Sequence, residues 1–136
     1  MNTKPLILIA EDDPDDQYFF QEAIEVVSPL EAETHFVWDG SKLLSYLRGM
    51  KEQATHRRIM VILDLNMQVK DGQSTLREIK ADPALHHIPV VILTTSSTEE
   101  DQEYCRLHGA SAYFRKPDSI TGLVTIVRTL FQDYLN

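Results

Sequence analysis

Ile59-Met60-Val61-Ile62-Leu63-Asp64-Leu65-Asn66-Met67 is an apolar run that stops abruptly on an acid. Leu6-Ile7-Leu8-Ile9-Ala10 stops in the same way, on Glu11-Asp12-Asp13. Val90-Val91-Ile92-Leu93 stops on Thr94-Thr95-Ser96, and Ala112-Tyr113-Phe114-Arg115 stops on Lys116-Pro117. Short apolar runs of this kind are the mark of parallel strands buried on both faces. Polar groups placed just after the runs gather at the carboxyl ends of the strands, the edge where open α/β sheets bind ligands. Acids, a hydroxyl and a lysine brought to that edge suit a metal ion and a phosphoryl group.

Helical patterns fill the intervals between the runs. Asp13 is placed to cap a helix that has Pro14 at its first position and Asp15 and Asp16 in its first turn. Phe20, Ala23, Ile24 and Val27 share one face of it at a period near 3.6. A weaker strand is expected from Thr34 to Trp38, closed by Asp39-Gly40, and then a helix from Ser41 to Arg48 with Leu43, Leu44 and Leu47 inward. Arg48 to Arg58 reads as a polar connection, and Arg57-Arg58 as solvated loop rather than binding patch. Asp71-Gly72 opens a third helix, which keeps Leu76 and Ile79 and stops before Pro83. Ser97 and Glu100 have capping-box spacing for a fourth, with Tyr104 and Leu107 as its anchors and Gly109 as its left-handed cap. The last helix runs from Ser119 to about Tyr134, with Ile120, Leu123, Val124, Val127, Leu130 and Phe131 on one stripe. Five strand–helix units of this length imply one α/β domain, with right-handed crossovers and helices on both faces of a parallel sheet.

The bulk properties narrow the function. A chain of 136 residues suits one domain with a real core. Thirteen basic and 21 acidic residues give a net charge of −8, which argues against nucleic-acid binding, since that needs a basic footprint. One cysteine, Cys105, excludes an internal disulfide. No apolar stretch approaches the roughly 18 residues of a membrane span. Met1-Asn2-Thr3-Lys4-Pro5 runs directly into the first strand with no signal peptide visible. A cytoplasmic protein with no membrane association is the plain expectation.

Ile9-Ala10-Glu11-Asp12-Asp13, Leu63-Asp64-Leu65-Asn66-Met67, Asp71-Gly72, Leu93-Thr94-Thr95 and Lys116-Pro117, in this order and spacing, resemble the receiver domain of two-component response regulators. The resemblance covers essentially the whole chain, residues 1–136, and implies a flavodoxin-like (βα)5 doubly wound sheet of strand order 2-1-3-4-5. Leu65-Asn66-Met67 without a following proline, together with Leu93-Thr94-Thr95-Ser96, is similar to small stand-alone regulators that partner phytochrome-like and hybrid histidine kinases. It implies that Asp64 is the phosphoacceptor, that Glu11, Asp12, Asp64 and the Asn66 carbonyl hold Mg²⁺, and that Thr94 and Lys116 bind phosphoryl oxygens. Tyr113 takes the position of the switch aromatic. The Lys116-Pro117 bond is expected to be cis. The partner it implies is a sensor histidine kinase or a histidine phosphotransfer domain, with no output domain and no enzyme activity of its own. Gln68, where a proline is usual, and Asp118 depart from the pattern and bear on loop geometry. Phe131, Tyr134 and Leu135 beyond the core-facing part of the last helix suggest a homodimer through that helix and tail, unless they fold back on the domain itself.

The chemistry needs this mixture. A carboxylate can attack phosphorus and form an acyl phosphate. Acids at about 4 Å repel by roughly 4 kcal/mol per pair at an effective dielectric near 20, which a hard divalent cation relieves. Lys116 and the metal would supply positive charge, Thr94 a neutral donor, and amides near Leu65, Asn66 and Thr95 further donors. Each motif alone has a plainer reading: Glu11-Asp12-Asp13 as an acidic helix start, Asp64 as a turn residue, Thr94 as a strand residue, Lys116-Pro117 as a turn. Their convergence outweighs those readings. An aspartate-dependent phosphohydrolase would carry its nucleophile after the first strand and a cap insertion. A flavin-type binder would want a neutral phosphate loop where this chain has acids. A docking module that no longer accepts phosphate would not need the intact acids. The five histidines share no ligand spacing, and Cys105 reads as a small helix residue rather than a nucleophile.

Overall fold

The computed structural model describes residues 4–27, 32–50, 52, 56–67, 71–96 and 98–135. Five parallel strands form one sheet in the order β2-β1-β3-β4-β5. They are β1 (Leu6–Ala10), β2 (Glu33–Val37), β3 (Ile59–Leu63), β4 (Val90–Thr94) and β5 (Ala112–Arg115). The helices are α1 (Pro14–Val27), α2 (Gly40–Gly49), α3 (Gly72–Ala81), α4 (Glu99–Leu107) and α5 (Ile120–Leu130), the last continuing into a π turn over Phe131–Leu135.

Every residue of β1, β3 and β4 is buried, as expected of strands covered on both faces. The pleat sends alternate residues to opposite faces and so builds two cores. Leu6, Leu8, Val61, Leu63, Val90 and Ile92 meet α2, α3 and α4 through Leu43, Leu47, Leu76, Ile79 and Cys105. Ile7, Ile9, Met60, Ile62, Val91 and Leu93 meet α1 and α5 through Phe20, Ile24, Leu123, Val127 and Leu130. Each fully buried Leu or Ile is worth about 1.5–3 kcal/mol over the exposed state. The two cores together hold the strand ends rigidly. β1 pairs with both β2 and β3, so the connections diverge on either side of it and open a crevice at its carboxyl end.

Local chemistry sets the helix starts. Asp39, Asp71, Thr98 and Ser119 each accept a main-chain N–H from the residue three positions on. Asp13 accepts from the Asp15 amide at 2.8 Å. Gly109 takes φ +92° after α4, the left-handed conformation that favours glycine.

Several expectations are corrected. The fourth helix is capped by Thr98, one position past the expected cap; Ser97 lies outside the described residues, as do Gln68 and part of the Arg48–Arg58 connection. Its anchor is Cys105, fully buried, while Leu107 is 66% exposed. Position 105 faces the sheet, and 107, two residues on, is turned away from it. Ile120, the first residue of α5, is also exposed. β2 sits one residue earlier than expected, leaving Trp38 half exposed. Arg57 is partly buried rather than solvated, pairing with Glu33 and the Lys4 carbonyl, whereas Arg58 is exposed as expected of a solvated loop while donating to the Leu135 carbonyl at 2.7 Å.

No described peptide bond is cis, so the bond between Lys116 and Pro117 is trans. Trans is the lower-energy isomer, and Lys116 reaches the strand-end cluster without the other one. The tail is the remaining correction. Phe131 and Leu135 are buried in the core between the sheet and α1–α5, with Tyr134 packed against them. That burial satisfies the apolar groups within the chain and removes the argument for a homodimer built on them.

Candidate functional site

The strand ends are locked in register by main-chain bonds that run one residue past the strands. Glu11 N donates to Val37 O at 3.0 Å, Asp64 N to Ala10 O at 3.3 Å, and Lys116 N to Thr94 O at 2.8 Å. Glu11, Asp64, Thr94 and Lys116 are thereby brought to one edge.

Asp64 is at the centre of it and is 5% exposed. Its Oδ2 lies 2.8 Å from Lys116 Nζ, and its Oδ1 accepts the Asn66 amide at 3.0 Å. Glu11, Asp12 and Asp64 each offer a carboxylate oxygen within 4.8 Å of the others, the one such group of potential metal ligands among the described residues. Three hard oxygen donors close together, two of them buried, fit a hard divalent cation such as Mg²⁺, which takes one or two carboxylates and keeps several waters.

Burial and the neighbouring Asp64 charge push the Glu11 carboxyl up to about 7, against the pull of Lys116. Burial works to lower the pKa of Lys116, but its hydrogen bonds to Asp16, Asp64 and Glu11 prevail and hold it above the ordinary lysine value. One ammonium among four acids is kept charged, yet it cannot compensate them all. This surplus of negative charge is the electrostatic condition that favours a bound cation.

Thr94 is completely buried. Its Oγ accepts from Asn66 Nδ2 at 3.5 Å and from the Ser96 amide at 3.4 Å. In both bonds the oxygen accepts, so its own O–H stays available as a donor. Tyr113 is half-buried and set apart from the acids, with its hydroxyl donating to the Ser96 carbonyl at 2.9 Å. The structure therefore brings together Glu11, Asp12, Asp64, Asn66, Thr94 and Lys116, and leaves Tyr113 one loop residue away.

The structure adds two side chains to this site and its surroundings. Asp16 Oδ2 lies 2.8 Å from Lys116 Nζ. Its place in the first turn of α1 was the available signal, because helical side chains lean toward the N-terminus and so back over the strand ends. Asp101 on α4 accepts from Gln73 Nε2 at 2.8 Å and from Ser96 Oγ, joining α3 to the loop that carries the Tyr113 contact. No sequence signal marks that bridge. Cys105 is fully buried, and burial pushes its thiol up to about 11.

Known proteins share this arrangement. The family model described as "Response regulator receiver domain" matches residues 7–128. Response regulator Rcp1 of Synechocystis sp. is 38% identical over 101 residues, covering 74% of this chain and 68% of its own. The crystal structure of the phosphorylated cyanobacterial phytochrome response regulator RcpA superposes with a TM-score of 0.86 at 35% identity, over 98% of this chain and 95% of that one. The Mn²⁺-bound form of Rcp1 superposes with a TM-score of 0.81 at 32% identity, over 96% and 94%. The chain belongs to the response regulator receiver domains, the metal-dependent phospho-accepting modules of phosphorelay signalling, whose partner is a histidine kinase.

Proposed function

We propose that Asp64 is the residue that takes the phosphoryl group, from a sensor histidine kinase or a histidine phosphotransfer domain. The observation that carries this reading is the setting of its carboxylate: buried, one oxygen on Lys116, the other on the Asn66 amide, and within ligand distance of Glu11 and Asp12. An Asp64 oxygen attacks phosphorus, a P–O bond forms, and the electron pair of the broken P–N bond returns to the donor imidazole. Glu11, Asp12, Asp64 and the Asn66 carbonyl are the groups that would hold Mg²⁺. When bound, Mg²⁺ supplies the positive charge that lets an anionic phosphoryl group meet an anionic carboxylate.

Lys116 bonds one phosphoryl oxygen as a point charge, and Thr94 donates its hydroxyl to another. Drawing Thr94 toward the phosphoryl group pulls on Ser96, whose amide rests on Thr94 and whose carbonyl holds Tyr113. The surface around α4 and β5 then changes, and output follows through protein contacts in the cytoplasm rather than through turnover of a substrate or binding of nucleic acid.

Labelling by acetyl phosphate with Mg²⁺ tests the assignment. Wild type should label and Asp64→Asn should not. Undiminished labelling of the variant would remove Asp64 from the role, and a wild type that neither labels nor binds beryllofluoride would favour a docking module instead.

A further inference from the structure

Lys116 serves three carboxylates at once. Its Nζ lies 2.5 Å from Glu11 Oε1, 2.8 Å from Asp16 Oδ2 and 2.8 Å from Asp64 Oδ2. An ammonium has three hydrogens, so all of its donors are engaged.

The three acids are not equivalent. The Glu11 and Asp64 side chains are 8% and 7% exposed, and both belong to the group that can hold a metal. The Asp16 side chain is 39% exposed, lies outside that group, and comes from the first turn of α1. A phosphoryl group on Asp64 brings close to two negative charges and requires a Lys116 donor for one of its oxygens. The phosphorylated Asp64 oxygen gives up its own bond to Lys116, and the phosphoryl oxygens that take its place bring more negative charge against the two remaining acceptors. Of those two, Glu11 is tied to the metal group, and Asp16 alone can swing into solvent.

We propose that Asp16 is a positioning residue that competes with the phosphoryl group for Lys116. In the resting protein it helps hold Nζ over the acceptor. Once Asp64 is modified, it becomes a nearby like charge that has lost its bond, and it drives the equilibrium back toward the unmodified state. It contacts the lysine and never the phosphorus. The inference rests on the reading of Asp64 as phosphoacceptor.

Asp16→Asn keeps the shape of the side chain and removes its charge. At saturating Mg²⁺ this variant should bind beryllofluoride, a phosphoryl mimic, about fivefold more tightly than wild type, the size expected of a partly exposed charge pair. Its phosphorylated form should decay correspondingly more slowly, and Asp16→Glu should restore wild-type behaviour. Asp15→Asn is the control, because Asp15 carries the same charge in the same turn and does not bond Lys116. It should leave the affinity within about twofold. A purely structural salt bridge would lower the melting temperature of Asp16→Asn and leave beryllofluoride affinity unchanged, which would overturn the proposal. Weaker binding by Asp16→Asn, or equal gains in both variants, would overturn it as well. A wild type that binds no beryllofluoride at saturating Mg²⁺ would refute the phosphoacceptor reading and the competition with it.

Discussion

A Cβ placed on Gly72 would lie 2.4 Å from the main-chain oxygen of Asp64 and 2.7 Å from the Cα of Leu65. The first turn of α3 thus rests directly on the peptide that follows Asp64, and Gly72 N donates to Leu65 O at 3.2 Å. The obstacle is backbone on both sides, so no side chain can swing away to make room. Gly72→Ala should destabilise the fold by about 1–3 kcal/mol, as overpacking does. It should also slow phosphorylation of Asp64, because the peptide that aims the carboxylate has to shift. Urea denaturation combined with acetyl-phosphate labelling checks both, and a variant with normal stability would show that α3 yields freely.

The Glu11 pKa gives metal binding a pH dependence. The unfolded chain releases the Glu11 proton near 4.5, whereas the folded one keeps it to about 7. Between those values the folded state binds more protons. Metal-free stability therefore falls as pH rises through this window and levels off above it, by on the order of 3 kcal/mol. A divalent cation has to displace that proton, so Mg²⁺ affinity should rise about tenfold from about pH 6 to about pH 8. Calorimetric titration at the two pH values measures it. Glu11→Gln should bind Mg²⁺ weakly with little pH dependence, and an unchanged slope in that variant would assign the proton elsewhere.

The buried tail predicts a stability effect in place of an assembly effect. Leu135 is 5% exposed and Phe131 9%, and the Leu135 carbonyl is held by Arg58. Leu135→Ala should cost about 2–4 kcal/mol. Deleting residues 131–136 should cost more, since it opens the core between α1 and α5 to water. Denaturant midpoints decide this. A deletion with wild-type stability would return these residues to the role of a partner-facing surface.

Asp101 bridges α3 and the loop after β4 through Gln73 and Ser96. Asp101→Ala leaves both partners without their acceptor and should cost about 1–3 kcal/mol. The loss should be local. Amide exchange should quicken in α4, which holds only one buried residue, and remain unchanged in β1 and β3. Uniform acceleration throughout the sheet would mean that the bridge supports the whole fold.

The sequence by itself determined the sheet, its burial on both faces, every helix start to within one residue and the gathering of Glu11, Asp12, Asp64, Thr94 and Lys116 at one edge. These follow from short-range rules: apolar runs of strand length, caps three residues ahead of their amides, and a register that places every strand end on the same side. The tertiary structure decided what depends on residues far apart in the chain. Which face of α4 is inside, and so Cys105 rather than Leu107, was settled by packing, since a sparse apolar pattern does not fix a helix's rotation. The inward turn of Phe131 and Leu135 depends on their joining the core that α1, α5 and the sheet form, a packing that no local pattern reports. The bond between Asp16 and Lys116 joins residues 100 positions apart, and a hydrogen bond of that span exists only once the sheet has brought the two strand ends together.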